Sequence, residues 1–274
     1  MTTTLRPTGP LQRSADGALS RHFRVCVNGR PVGSVHIATS AFLGPTVARI
    51  ADLSIDEPDR GRGRGTVAAL AAEEVARGWG CVSVEIAVPA AAGGALRLAT
   101  ALGYVHRSRR MLKPLGDVPP GLPAGSRGRS MTEAEFGPWN EQAIIGYAQS
   151  WRDRGVPADA ARAKAERDHA QMLPDGPSTA DTLLRVLEHE GSRVGTLWLS
   201  VAGGKAYIYR VETDERFRGR GHGRALMLLA EAQAVAAGRR VIGLNVFAGN
   251  TPAERLYESL GYETVEYSLF KNLL

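Results

Sequence analysis

The feature that most constrains this chain is an internal repeat. Residues 56–65 read DEPDRGRGRG and residues 214–223 read DERFRGRGHG, seven identities in ten at a spacing of 158. At the same spacing and without a gap, LRLATALGY ending at Tyr104 lies over ERLYESLGY ending at Tyr262. Two segments some forty residues apart stay in register in both halves, so the chain of 274 residues holds two copies of one fold. Between them, residues 116–130 are crowded with Pro, Gly and Ser and lose apolar periodicity, which reads as a linker. The expected domains are therefore 1–115 and 131–274.

Each half shows the same order of elements. In the first, HFRVCVN and PVGSVHIAT flank Asn28-Gly29, a hairpin signal, and VARIADLSI leads into the Gly-rich loop. The Ala-rich helix TVAALAAEEVAR and the strand CVSVEIAV follow. The second half repeats this with TLLRVLEH, RVGTLWLSV and KAYIYRVET as strands, RALMLLAEAQAVAAG as helix and VIGLNVF as the next strand. The expected class is α/β of the α+β kind: two tandem domains, each a mixed, mostly antiparallel twisted sheet with packed helices. The halves differ at their starts. Thr132 and Glu135 form a capping-box pattern opening a helix to about Ser150, and a second helix runs from about Pro157 to Met172. The first half has only about twenty Gly/Pro/Ser-spotted residues there, so it is pared down.

Composition excludes several classes. Hydrophobic residues at 43% with 23% charged are enough for a core and rule out a disordered or collagen-like chain. No run is long and apolar enough to span a bilayer, and the first residues lack the apolar core of a secretory signal, so the expected address is cytoplasmic. Cys26 and Cys81 are too few for a disulfide scaffold or a four-thiolate metal site, and no metal is expected. The net charge of +6 suits an anionic ligand without singling out nucleic acid.

The loop itself points to a diphosphate. Arg218, Gly219, Arg220, Gly221, His222 and Gly223 sit between a strand and a long helix beginning near Arg224. That placement presents free backbone N–H groups at a helix N-terminus. The glycines admit close backbone approach, and Arg218, Arg220 and Arg224 add charge-assisted bonds; His222 faces either phosphate or water. A dinucleotide-binding fold is disfavoured, because three meander strands precede the loop. A P-loop is excluded, because neither loop contains Lys. RG-rich RNA-binding segments are disordered, whereas each loop here runs into an apolar helix, so nucleic acid is not the expected partner.

These residues resemble the GCN5-related N-acetyltransferase (GNAT) superfamily, whose signature Arg/Gln-x-x-Gly-x-Gly/Ala is matched at Arg218, Gly221 and Gly223 and again at Arg60, Gly63 and Gly65. Asn250, Leu256-Tyr257 and Leu260-Gly261-Tyr262 match the family's closing block. The resemblance implies acetyl-coenzyme A, or a related acyl-CoA or phosphopantetheine thioester, as donor and an amine, here a small molecule, as acceptor. It implies a fourth-strand amide near Val211 to Thr213 as oxyanion donor, Tyr257 as general acid, and Asn250 as a ligand of the pantetheine arm. Thr251-Pro-Ala-Glu254 reads as the capping box of the last helix. The base is open. The fifth-strand position that carries Glu in some members is Asn245, and an amide takes no proton at neutral pH. Glu212 is a candidate, with Tyr207, Tyr209 or a water chain as alternatives.

At the spacing of 158, Asn250 falls on Ala92 and Tyr257 on Ala99. The expected enzyme is an N-acyltransferase with its active site in the C-terminal copy, and Arg60, Gly61, Gly63 and Gly65 form a second candidate cofactor site without catalysis. The alternatives left open are a donor carried on an acyl carrier protein, whose acidic surface would suit the basic rim, a mycothiol-synthase-like tandem enzyme, and a CoA-sensing interaction module.

Overall fold

The computed structural model describes residues 2–15, 17–40, 43–153 and 156–273. In chain order the elements are β1 (Thr3–Pro7), β2 (Gln12–Arg13), β3 (Leu19–Val27), β4 (Arg30–Ser40), β5 (Gly44–Ile55), α1 (Arg64–Gly78), β6 (Ser83–Pro89), α2 (Gly93–Ala101) and β7 (Val105–Pro114). They continue with β8 (Ser126–Ser130), α3 (Glu133–Arg152), α4 (Ala158–Met172), β9 (Thr182–His189), β10 (Ser192–Ser200), β11 (Ala206–Thr213), α5 (His222–Ala236), β12 (Val241–Phe247), α6 (Thr251–Ser259) and β13 (Glu263–Asn272). The fold is mixed α/β, with helices packed on mixed sheets, as the repeat implies.

The chain divides into two compact units: residues 1–109 with 264–274, and residues 110–263. This differs from the expected boundaries at 115 and 131 in two ways. The last strand belongs to the first unit: β13 pairs antiparallel with β6 from Glu266 opposite Pro89 to Asn272 opposite Ser83. Residues 126–130, read as the end of a linker, form β8 and pair with β9. Alternating Arg and Ser with a central Gly carry no apolar periodicity, which is why this edge strand was not visible. The same blindness applies to β1 and β2, in a stretch read only as Gly/Pro/Ser-spotted.

In the first unit, β3 and β4 form the hairpin expected at Asn28-Gly29, whose φ values of 49° and 85° are those of a type I′ turn. The second unit repeats it between β9 and β10 at Glu190-Gly191, with φ 49° and 78°. One face of the first sheet packs Phe23, Val35, Ile37, Ala48 and Ile50 against Ala72 and Ala76 of α1, with the buried thiol Cys81. The opposite face alternates outward through His22, Arg24, Ser34 and Arg49.

The second unit is covered on both faces. Leu187, Leu197, Leu199 and Ile208 pack with Leu226, Met227, Leu229 and Ala230 of α5. On the other face Leu184, Val186 and Trp198 pack with Trp139 and Ala143 of α3. The helix α3 starts as expected: Thr132 caps it, with Glu135 N–H donating to Thr132 Oγ1 at 3.3 Å and Thr132 N–H donating to the Glu135 carboxylate at 2.9 Å.

Candidate active site

The site is built where two parallel strands part. β11 and β12 pair only from Ala206 opposite Ile242 to Ile208 opposite Leu244. Just beyond, the β10–β11 ladder shifts register: Trp198 faces Arg210 but Leu199 faces Ile208, so Tyr209 is an extra residue in β11. Such a bulge bends the strand and ends regular pairing. The strand ends at Val211 to Thr213 and at Val246–Phe247 are thus freed from each other, leaving backbone groups of the opened edges to bind something else. Gly195 sits opposite Thr213, where a Cβ would come within 2.4 Å of the Glu212 carbonyl, so only Gly permits this approach of β10.

After β11, one short turn leads to the Gly-rich loop. Gly219 and Gly221 take φ of 74° and 86°, a left-handed conformation that glycine adopts without strain. Gly221 is the N-cap of α5. The amides of residues 219–224 donate to no backbone carbonyl among the described residues, and the first such bond of the helix is Ala225 N–H to Gly221 at 3.1 Å. Six consecutive free donors at the positive end of a 15-residue helix fit an anion of diphosphate size. Gly223 lets α6 approach, since a Cβ there would lie 3.3 Å from Leu256. Of the loop side chains, Arg218 pairs with Glu215 at 3.2 Å on the surface, and Arg224 Nη2 donates to Ser259 Oγ at 2.6 Å. His222 is buried, set against the rings of His189 and Phe217, and burial lowers its pKa, so it is a neutral packing residue more than a phosphate ligand.

Asn250 is the N-cap of α6; its Oδ1 accepts from Ala253 N–H at 3.4 Å. The expected cap at Thr251 therefore moves back by one residue, and Pro252 falls in the first turn. Capping uses the amide oxygen of Asn250 and leaves its NH₂ group to donate elsewhere. Tyr257 lies on the next turn, half-buried against the core, its ring 6.1 Å from that of Tyr262. Burial raises its pKa, so the phenol keeps its proton at neutral pH, as a proton donor must.

Glu212 is less free than the sequence suggests. Arg210, two residues away on the same face, donates to its carboxylate through Nε at 3.1 Å and Nη2 at 2.9 Å. Tyr207 is pushed up to about 12 by burial and takes no proton in the neutral range. The loop of the first unit keeps the backbone form, with Gly61 and Gly63 at φ of 71° and 72° and no carbonyl acceptor among the described residues for the amides of residues 61–66. Its side chains differ: buried Asp59 receives Arg30 at 2.7 Å and pairs with Arg64. There β5 and β6 also part, after Ile50 opposite Ile86. Sequence reasoning missed the bulge at Tyr209 and the polar cluster of α4; neither has a motif.

A splayed pair of parallel strands, a loop of free amides at the following helix and a protonated tyrosine beyond the next strand stand together in the second unit. The model of the acetyltransferase (GNAT) family matches residues 4–104 and 147–262, so the chain belongs to that family and is an acetyltransferase, with two tandem domains of the fold. It is similar to the uncharacterized N-acetyltransferase YdgE of Bacillus subtilis, 28% identical over 149 residues, covering 52% of this chain and 95% of that protein. It is also similar to the mycothiol acetyltransferase of Thermobispora bispora, 29% identical over 252 residues, 82% of this chain and 76% of the relative. Among solved structures, a GCN5-related N-acetyltransferase from Sphaerobacter thermophilus matches with a TM-score of 0.59 at 22% identity, over 92% of this chain and 80% of that one, a likeness of fold. Enzymes of this family use acyl-CoA and act on amines. Among the described residues no helix is long and apolar enough to cross a membrane.

Proposed function

We propose that the protein N-acetylates a small-molecule amine with acetyl-CoA, and that the reaction runs in the C-terminal unit. The observation that carries this reading is the contrast between two matched frameworks: both units have the parted strands and the glycine loop, but only the second has Tyr257 and the capping Asn250, where the first has Ala99 and Ala92. Among the described residues, the covered face made by α3 and α4 in front of β11 also occurs only there.

When bound, acetyl-CoA supplies a thioester carbonyl activated toward an amine. The residues that would hold it are Gly219, Gly221, Gly223 and Arg220 at the diphosphate, with Arg218 and Arg224 at the loop's edge and Asn250 toward the pantetheine arm. Backbone N–H groups near Val211 to Thr213 stabilise charge on the carbonyl oxygen. The phenol of Tyr257 gives its proton to the departing sulfur. In the first unit, Arg60, Gly61, Gly63 and Gly65 would hold a second coenzyme without turnover, because no phenol stands at Ala99.

The alignment with a mycothiol acetyltransferase supports tandem architecture, and a thiol-release assay that includes that protein's amine acceptor compares the two directly. The central test is Tyr257→Phe in the full chain, with thiol release and calorimetric binding of acetyl-CoA as paired readouts. Turnover falls while coenzyme affinity holds. Unchanged turnover removes the assignment, and calorimetry counts one site or two. Replacing acetyl-CoA by an acetylated carrier protein in the same assay separates the alternative donor.

A further inference from the structure

The group that receives the acceptor's amine is the missing part of the site, and Glu212 is already engaged by Arg210. The face of β10–β12 that looks toward α3 and α4 carries Trp198, Tyr207, Arg210, Glu212 and the bulged Tyr209, since residues paired across strands share a face. Arg210 lies against α3, where a Cβ on Gly146 would be 3.2 Å from its Nη2. Its charge is balanced by Glu212. Opposite, on α4, the buried Lys164 donates to Asp168 at 2.7 Å, and Tyr147 of α3 donates to the same carboxylate at 3.3 Å. Arg210 and Glu212 on the sheet, and Lys164 and Asp168 on α4, thus satisfy each other in pairs, which favours an acceptor bound by its apolar body over one held by a second charge.

What remains unspent among the described residues is aromatic surface and two ring nitrogens, on His169 and Trp198. Tyr209 is 45% exposed, its ring 5.0 Å from Tyr207 and 5.0 Å from Trp198. His169 of α4 is 4% exposed and stands edge-on to Trp198 at 5.0 Å. Its Nδ1 lies 2.8 Å from Asn140 Oδ1. An amide oxygen only accepts, so Nδ1 carries the proton and Nε2 the lone pair. Nε2 has no partner among the described residues. Burial and the nearby Arg210 bring the imidazole pKa down to about 4, against an opposing pull from Asp168, so the lone pair is present throughout the neutral range. The buried indole N–H of Trp198 beside it also lacks an acceptor among the described residues.

We propose that His169 Nε2 accepts a hydrogen bond from the acceptor's amino group, and that the acceptor is a primary amine carried on an aromatic body that stacks on Tyr207 and Tyr209. This rests on the C-terminal unit being the active site. His169 orients the amine's lone pair toward the carbonyl carbon; Asn140 acts through His169 by holding its tautomer.

The test uses the full chain with acetyl-CoA and tryptamine, spermidine or glucosamine as probe amines. Tryptamine gives the highest kcat/KM, by about tenfold, the worth of a stacked ring, since all three amines can donate to His169. His169→Asn keeps a donor to Asn140 and removes the acceptor at Nε2; it raises the tryptamine KM about tenfold and leaves the acetyl-CoA KM and Tm unchanged. His169→Gln, whose amide reaches the Nε2 position, restores the KM. A purely structural role moves Tm instead. The inference is overturned by a wild-type tryptamine KM in His169→Asn, or, should that variant fold poorly, by loss of tryptamine KM in a folded His169→Gln. Preference for spermidine or glucosamine, or silence with tryptamine while calorimetry still detects acetyl-CoA binding, also overturns it and leaves the donor site standing.

Discussion

The two units share a triad, a buried Glu and Tyr with a partly buried Lys, and differ in Tyr257, Asn250 and the α3–α4 face. In the first, Lys271 donates to Glu73 at 2.7 Å and lies 5.7 Å from the Tyr104 ring. In the second, Lys113 donates to both oxygens of Glu231 at 2.8 Å and lies 5.6 Å from the Tyr262 ring. Glu73 and Glu231, Tyr104 and Tyr262, and Lys113 and Lys271 are each 158 apart. The lysine of each triad therefore comes from the strand that ends the other copy of the repeat. A buried carboxylate without a partner is costly, so the pairing has been retained in both copies while Tyr257, Asn250 and the α3–α4 face occur in one. Fold-bearing side chains repeat, and those proposed to act on the coenzyme do not.

The largest effect expected comes from deleting residues 264–274. That removes the β13–β6 ladder and Leu269, which is buried among the core residues of the first unit. Hydrogen exchange at residues 87–89, which pair with β13 and not with β5, should lose its protection although they lie far away in sequence; retained protection there would contradict the assignment of β13 to this unit. Next, Glu73→Gln and Glu231→Gln should each cost about 2 kcal/mol, read from denaturant midpoints, because each removes the buried carboxylate that a partly buried lysine pairs with. Closely similar losses confirm that the triads are equivalent, and a large difference breaks the comparison.

Tyr257→Phe should reduce kcat about 100-fold with little change in the acetyl-CoA KM. Its mirror, Ala99→Tyr, should add no activity, since the first unit lacks the α3–α4 face. Smaller again, Gly221→Ala forces a Cβ into φ of 86° and should raise the acetyl-CoA KM about tenfold, whereas Gly63→Ala at φ of 72° should leave kinetics untouched. The smallest effect is on acid stability. His169 has a folded pKa near 4 against an ordinary 6.5, so the unfolded chain binds this proton first and stability falls as pH drops from about 6.5 to 4. In His169→Asn, chemical denaturation across that window should show a shallower fall.

The repeat, the glycine turns, the hairpin at Asn28-Gly29 and the cap at Thr132 were all legible from residue order, because each is a local preference of a few neighbouring residues. The cap at α6 was legible to within one position: Asn250 and Thr251 are both competent, and only the helix geometry chose between them. The cluster proposed for the acceptor was not legible. His169, Asn140, Trp198 and Tyr209 come from four elements, and nothing in their spacing announces that they meet. The end of the chain teaches the same lesson more sharply. Sequence by itself determined that this protein holds two copies of one acetyltransferase fold and which copy keeps the phenol. Only the tertiary structure decided that the final strand completes the first copy. A strand's partner is selected by burial of its apolar face and by charges such as Lys271 finding Glu73, interactions with no fixed separation along the chain.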